Sequence, residues 1–322
     1  MEARPFRQPP CRAALAAGAL AWALGGAVHG CSEESPPTEP TTTTTSDTGG
    51  AGAGGGGPGG DAQTAGVTLM TWNLETFPLT AQTGSYVRST LEALRPDLVA
   101  VQDIAEAEQL IGFAEDLDGY AGLVNDDPGA FLRVGLLYRT DRVVLSETET
   151  LFSNDWYGFP RPPLKVRAEV TDSQDRMFDF LLLVVHLKAQ LDEESQDRRR
   201  SACATLEDWI RSQLDLGAER DIIVAGDFND ELTDPPTWNV FEPFLAAPDD
   251  YRFLTLALEQ AGEHTYIPFD SFIDHVLVTS DALNEYGATG STEVLPLEQS
   301  SPTYEATVSD HRPVLVRFAL DG

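Results

Sequence analysis

The chain has 322 residues, 42% of them hydrophobic, and sets 21 Lys and Arg against 52 Asp and Glu for a net charge of -31. That apolar content can bury a sizeable core in one large domain or two small ones. The charge excludes tight, purely electrostatic adhesion to polyanions. A phosphate-bearing ligand would need local help, from clustered basic side chains or from bound cations that neutralise nearby carboxylates.

Arg4, Arg7 and Arg12 precede an apolar run from Ala13 to Val28. This is the charge order and length of a signal-peptide core, too short for a comfortable membrane span. The run ends in Val28-His29-Gly30-Cys31, which resembles a bacterial lipobox, although His29 stands where a small residue is usual. Residues 1–31 are therefore expected to be a signal peptide, with Cys31 the lipidated first residue of an exported, membrane-anchored protein. Ordinary signal cleavage with secretion, or an uncleaved anchor, are the other outcomes. Residues 32–66 are rich in Thr, Gly, Pro and Ser, including TTTTTS and GGAGAGGGGPGG, and offer almost nothing to bury. They read as a disordered tether that would hold a soluble domain off a membrane surface.

No comparable linker follows, so residues 67–322 read as one domain, expected to be a monomer. It carries 18 basic and 46 acidic residues, which places the acidity in the folded part. Apolar, β-rich runs predict strands over 67–74, 97–102, 133–139, 164–170, 178–187, 221–226, 271–279 and 312–320. Several are apolar on both faces, as covered central strands are. Amphipathic stretches predict helices near 84–95, 104–118 and 194–214, the last with Leu206, Trp209, Ile210 and Leu214 at helical spacing. Alternation of strands and helices, mixed with adjacent strands, points to a layered α/β domain containing antiparallel pairing. Of Cys11, Cys31 and Cys203, only Cys203 lies in this domain, so an intramolecular disulfide is excluded there and Cys203 reads as a small buried hydrophobe on a helix.

Polar residues cluster at the ends of these strands, where α/β folds place their sites. Asn73 ends the first, Gln102 and Asp103 the second, His186 the long strand from 178, and the string GDFND the strand from 221; Asp274 sits within SFIDHVLV, and Ser309-Asp310-His311 precedes the last strand. Carboxylates and amide carbonyls are hard ligands suited to Mg²⁺ or Mn²⁺, and no Cys/His spacing of a zinc site is present. Histidine supplies acid–base function, and a neighbouring carboxylate fixes its tautomer. Together they suit hydrolysis of a phosphate ester, which needs a positioned water, a base or metal to deprotonate it, and positive charge on the phosphoryl oxygens.

The strings TWNLE, RPDLVAVQD, LRVGLLYR, FPRPPLKV, LVVHLKA, GDFND, FIDHVLV and SDHRPV occur in this order through 67–320. In order and approximate spacing they resemble the endonuclease/exonuclease/phosphatase superfamily with the DNase I-like fold. The resemblance implies a four-layer sandwich of two mixed β-sheets flanked by helices. It implies metal-site roles for Asn73, Asp103 and Asp310, and catalytic roles for His186, Asp227, Asn229, Asp274 and His311. Asp227 and Asn229 would face the attacking water and the phosphate, the two histidines would bracket the scissile phosphate, and Asp274 would orient His311. Arg161 would bind substrate phosphate, and Mg²⁺ is the implied cofactor, with Mn²⁺ as a substitute. One departure is that Asp103 stands where the family usually has Glu. The lost methylene makes a direct metal bond less certain, and Glu106 is close enough in sequence to compensate.

Bland readings compete at each position. Asn73 alone would be a strand-end turn residue and GDFND an ordinary turn. His275, next to Asp274 on a strand, points to the opposite face as a core histidine; His264 reads as surface, and Trp72 and Trp209 as core. Lys188 and Arg198 to Arg200 form either a phosphate-attracting patch or, more commonly, a solvated helix face. Function is thus expected to be metal-dependent phosphodiester hydrolysis by an exported nuclease acting on nucleic acid. A phospholipid or inositol phosphate hydrolase is the runner-up, and a catalytically silent surface-binding module the reading from another class.

Overall fold

The computed structural model describes residues 65–127, 129–217 and 219–321. The expected signal peptide with Cys31, and all but the last two residues of the expected tether, lie outside the described residues. Among the described residues no helix is long and apolar enough to cross a membrane.

Twelve strands form two six-stranded mixed sheets. In chain order they are β1 (Val67–Phe77), β2 (Leu98–Ile104), β3 (Tyr120–Val124), β4 (Arg133–Arg139), β5 (Val143–Thr150), β6 (Leu164–Thr171), β7 (Met177–His186), β8 (Ile222–Asp227), β9 (Tyr251–Phe253), β10 (Asp274–Thr279), β11 (Ser291–Val294) and β12 (Val314–Phe318). The first sheet runs β11-β12-β1-β2-β4-β3 and the second β5-β6-β7-β8-β10-β9. Two pairings are parallel, β1 with β2 and β7 with β8. Each is linked by a helix, α1 (Thr83–Leu94) in the first case and α3 (Glu193–Leu216) in the second, as parallel neighbours require a crossover. A third helix, α2 (Ala107–Glu115), follows β2.

Three apolar clusters define four layers. Val67, Leu69, Leu98, Val166, Phe180, Val184, Val276 and Val316 are among the residues packed between the two sheets. Trp72, Val87, Leu91, Val99, Leu110 and Val308 pack the outer face of the first sheet under α1 and α2. Leu183, Val185, Cys203, Leu206, Ile210 and Val224 do the same for the second under α3. Strands apolar on alternate sides thus serve two cores at once, which is why they read as continuous hydrophobic runs. Cys203 is fully buried on α3, as expected, and burial pushes its thiol far above the ordinary range.

The sandwich of two mixed sheets flanked by helices is the architecture the sequence implied. Details differ at the strand ends. The first strand does not stop at Asn73 but continues to Phe77 past an irregularity in its pairing with β2, and β2 continues past Asp103 to Ile104. Gly66, assigned to the tether, is tied to the domain: its N–H donates to Asp172 Oδ2 (3.0 Å) and its carbonyl accepts from Arg142 Nη2 (2.8 Å).

Candidate active site

The local backbone at the strand ends is unusual, and it aims the polar side chains. Between Asn73 and Phe77 the register of β1 shifts, with Glu75 and Thr76 at φ 41° and 65°. Asp103 on β2 has φ 60°, and Asn229 after β8 has φ 55°, a conformation Asn and Asp tolerate better than most residues. Bulges of this kind redirect side chains at sheet ends. Gly226 is obligatory: at φ 152°, a Cβ there would meet the Val185 carbonyl oxygen at 2.0 Å.

Register then aligns the chemistry. His186 at the end of β7 pairs with Asp227 at the end of β8, and Asp227 pairs with Asp274 at the start of β10. From the other sheet, Asn73 pairs with Gln102, one residue before Asp103. The segment before β12 is fixed to β1: Ser309 Oγ donates to the Asn73 carbonyl (2.7 Å) and accepts from His311 N–H (2.9 Å). Trp72 Nε1 donates to Tyr304 Oη (3.1 Å), which donates to the His311 carbonyl (2.6 Å).

The result is one cleft of about 670 Å³ lined by Asn73, Asp103, Arg161, His186, Asp227, Asn229, Asp310 and His311. Asp274, fully buried, stands behind His311, its Oδ2 at 2.8 Å from His311 Nδ1. Every site residue expected within the described part is therefore gathered in one place. His186 lies between two carboxylates, with Nδ1 at 3.1 Å from Asp103 Oδ1 and Nε2 at 3.3 Å from Asp227 Oδ2. Asn73 donates to Asp227 Oδ2 (3.0 Å) and accepts from Glu75 N–H (2.9 Å), while Asn229 N–H donates to Asp227 Oδ1 (2.9 Å). Arg161 donates to the Leu187 carbonyl (3.0 Å), with Nε 3.8 Å from Asp103 Oδ1.

Electrostatics separate these groups. Burial lifts the Asp227 carboxyl above the ordinary range; His186 opposes this and Asp274 adds to it. Burial also raises Asp310, against the pull of His311. For Asp103, burial acts upward but is outweighed by His186 and Arg161, which hold it well below the usual carboxylate range. For His311, burial acts downward but is outweighed by Asp274, then Asp227 and Asp310, and the imidazole is raised to about 10. His311 is thus a cation at neutral pH.

Sequence reasoning missed Glu75. It lines the cleft, its Oε2 accepts from Asp310 N–H (3.0 Å), and burial with the nearby Asp310 raises it to about 7. Its signal was its place two residues after Asn73 in TWNLE. Glu106, the sequence-stretch candidate to compensate for a short Asp103, instead precedes α2 and lines a separate hollow with Glu108, Asp126 and Arg133. Tyr266 was also missed; its ring packs against that of His311, centroids 5.0 Å apart. His275 behaves as the core residue expected, bonded through Nδ1 to Thr255 Oγ1 and through Nε2 to the Asp230 carbonyl among four phenylalanines. The basic run is a structural face: Arg198 donates to the Trp156 and Tyr157 carbonyls, Arg199 pairs with Asp230 and Arg200 with Asp197.

Oxygen donors suited to a hard cation are present. Asp103 Oδ1 is buried and faces His186 Nδ1 at 3.1 Å, and Glu75, Asp103 and Asp310 crowd one side of the cleft. Asp227, Asp274 and His311 also offer donor atoms within 4.8 Å of one another. In that trio the carboxylate–imidazole contact at 2.8 Å is a hydrogen bond that orients the ring, so the cation site is better sought among Glu75, Asp103 and Asp310.

The sequence profile of the Endonuclease/Exonuclease/phosphatase family matches residues 70–311. No curated protein sequence matches the chain. Among solved structures, the fold is similar to an endonuclease/exonuclease/phosphatase from Bacteroides vulgatus, at 18% identity and a TM-score of 0.57 over 80% of this chain and 100% of the other. It is similar to a mannosyl-6-phosphatase from Bacteroides thetaiotaomicron, at 18% identity and a TM-score of 0.54 over 78% of this chain and 98% of the other. It is also similar to D. rerio TDP2 complexed with a single-strand DNA product, at 16% identity and a TM-score of 0.55 over 78% and 97%. At these identities the likeness concerns the fold.

Proposed function

The chain belongs to the endonuclease/exonuclease/phosphatase family, whose members are phosphoric ester hydrolases, and on that premise we propose a divalent-metal-dependent phosphodiesterase, an exported nuclease that uses in-line attack of water. The observation that carries this reading is the convergence of His186 and His311 on the buried Asp227, with Asp274 behind and carboxylates to one side. Mg²⁺, or Mn²⁺ in its place, would be held by Asn73, Asp103 and Asp310, with Glu75 as an added ligand. When bound, such an ion polarises a phosphoryl oxygen and lowers the pKa of water.

The protein's own groups supply the rest. Asp227, fixed by Asn73 and by the Asn229 amide, accepts the proton of the attacking water. His311, kept cationic by Asp274, presents Nε2–H to the phosphoryl or leaving-group oxygen. His186 and Arg161 line the same cleft and would bind the same phosphate. Asn229 completes the cleft floor beside Asp227, its Nδ2 donating to the Leu187 carbonyl (3.3 Å).

His311→Ala or Asp227→Ala is expected to abolish Mg²⁺-dependent hydrolysis of a generic phosphodiester while the protein still folds; unchanged turnover in both would reject the assignment. A plasmid-nicking assay beside sphingomyelin and inositol phosphates, each with Mg²⁺ and with EDTA, separates the nuclease from a phospholipid or inositol phosphate hydrolase. The latter has in its favour the apolar Leu191, 94% exposed at the mouth of the cleft. A catalytically silent binding module would show no Mg²⁺-dependent thermal shift.

A further inference from the structure

The basic side chains that follow His186 do not all neutralise carboxylates. Arg199 pairs with Asp230 and Arg200 with Asp197. Lys188 and Arg198 instead bond neutral acceptors: Lys188 Nζ donates to the Ala189 carbonyl (2.6 Å), Arg198 Nε to the Tyr157 carbonyl (2.7 Å) and Arg198 Nη2 to the Trp156 carbonyl (2.8 Å). These bonds leave both charges for a ligand. The pair also lies close to the cleft. Arg161 Nη1 donates to the carbonyl of Leu187, the residue before Lys188. Burial and then Arg198, helped by Arg161 and Arg199, push the Lys188 ammonium below its ordinary range, against the pull of Asp192. Cations gathered in this way repel one another, and an anion relieves them.

An aromatic ring stands beside them. The Arg198 guanidinium lies 5.5 Å from the ring centre of Trp156 and 5.4 Å from that of Tyr157. The turn that carries these rings is fixed from within: Asp155 Oδ1 accepts from Gly158 N–H (3.0 Å), and Phe159 N–H donates to the Asp155 carbonyl (2.9 Å). Trp156 is nevertheless 71% exposed. Elsewhere the surroundings of the cleft carry the opposite charge. Glu106, Glu108, Asp126 and Asp127 line the hollow after β2, and Asp230, Glu231 and Asp234 line one of about 310 Å³ beyond Asn229. A row of phosphates is repelled on those sides and attracted over Lys188 and Arg198.

We propose that Lys188, Arg198 and Trp156 form a subsite outside the cleft for a single-stranded nucleic acid, the two cations taking a phosphate beyond the scissile one and the Trp156 ring taking an unpaired base. This rests on the nuclease reading above. A positively charged track with an exposed aromatic ring is the arrangement that holds single strands without regard to sequence. A membrane surface also accepts Trp beside cations. Here, however, the cations continue from Arg161 in the cleft and are flanked by carboxylates, which suits a narrow strand rather than a plane of headgroups.

The test compares a short single-stranded oligonucleotide with methyl 4-nitrophenyl phosphate, which has neither a second phosphate nor a base, using the full chain with Mg²⁺. The ratio of the two kcat/KM values is expected to fall roughly tenfold or more in Trp156→Ala, the range of one base–aromatic stack, and to be largely kept in Trp156→Phe. In Lys188→Gln and in Arg198→Gln the ratio should fall as well. For the oligonucleotide, the slope of log kcat/KM against log salt should become shallower by about 0.7 for each cation removed, and Arg198→Lys should retain it. Melting curves check that the variants fold. If the wild type cuts the oligonucleotide but the Trp156→Ala and Lys188→Gln variants keep its ratio and slope, the proposal is overturned and the nuclease reading stands. Equal losses on both substrates would overturn it too, by marking the residues as structural. Binding to phosphatidylglycerol vesicles that Trp156→Ala abolishes, with the ratio unmoved, would overturn it in favour of a membrane contact. Hydrolysis of no oligonucleotide at all would overturn the nuclease reading with it.

Discussion

At the scale of residues, the cleft sorts chemically similar groups by environment. Two histidines contact Asp227, but only His311 has a fully buried carboxylate at its other nitrogen. Asp274→Asn removes the charge that keeps His311 cationic and fixes its ring. It is expected to lower kcat about a hundredfold or more, read from steady-state rates with KM little changed. The carboxylates divide likewise: Asp103 stays ionised beside His186 and Arg161, whereas Glu75 is raised to about 7 by burial and Asp310. If Glu75 supplies the reach that Asp103 lacks, Glu75→Gln weakens Mg²⁺ binding about tenfold or more, read as a smaller Mg²⁺-dependent thermal shift. Asp103→Glu is expected to preserve or raise metal-dependent activity, and a large loss would show that the site is built differently. The site residues named from sequence were legible because each sits in a short string at a strand end. Glu75 shares the string TWNLE and the face of Asn73, but its meeting with Asp310 comes only from the segment that docks before β12.

At the scale of elements, the eight strands predicted are the eight interior ones of the two sheets, and the four missed, β3, β5, β9 and β11, are the four edges. An interior strand is covered on both faces or paired on both sides, so it carries a dense apolar run. An edge strand has less to bury: in β5 most positions after Val143 are exposed or half-buried, and β11 has no fully buried residue. Such strands are recruited by pairing, and no local pattern announces them. The opposite case is Gly226, whose place in GDFND looked like an ordinary turn. It lies inside β8, where the backbone of β7 leaves no space for a side chain. Gly226→Ala is expected to cost at least about 3 kcal/mol, combining strain at positive φ with a collision against the Val185 carbonyl. Denaturant unfolding would show it; a midpoint like that of the wild type would contradict the account.

At the scale of the whole molecule, the excess of acidic residues has a titration signature outside the cleft. Burial, with Glu219, Glu285, Asp281 and Asp179 around it, raises Asp221 to about 7. Its unfolded value is about 3.9. Between these values the folded state keeps a proton that the unfolded state releases, so stability falls as pH rises from about 4 to about 7, and the full cost remains above that. Asp221→Asn is expected to raise Tm at pH 8 and to change it little at pH 4; an equal shift at both would reject the cause. The sequence by itself determined the layered α/β class, the interior strands, the buried role of Cys203 and most polar residues of the cleft. These follow from local patterns of apolar period and strand-end motif, which exist before any folding. Only the tertiary structure decided which carboxylates meet. Asp227 acquires His186 through parallel pairing with β7 and Asp274 through antiparallel pairing with β10, while Glu75 and Asp310 come together only when the segment before β12 docks on β1. Proximity between residues more than two hundred positions apart depends on register, and register is set by the whole core rather than by any one segment.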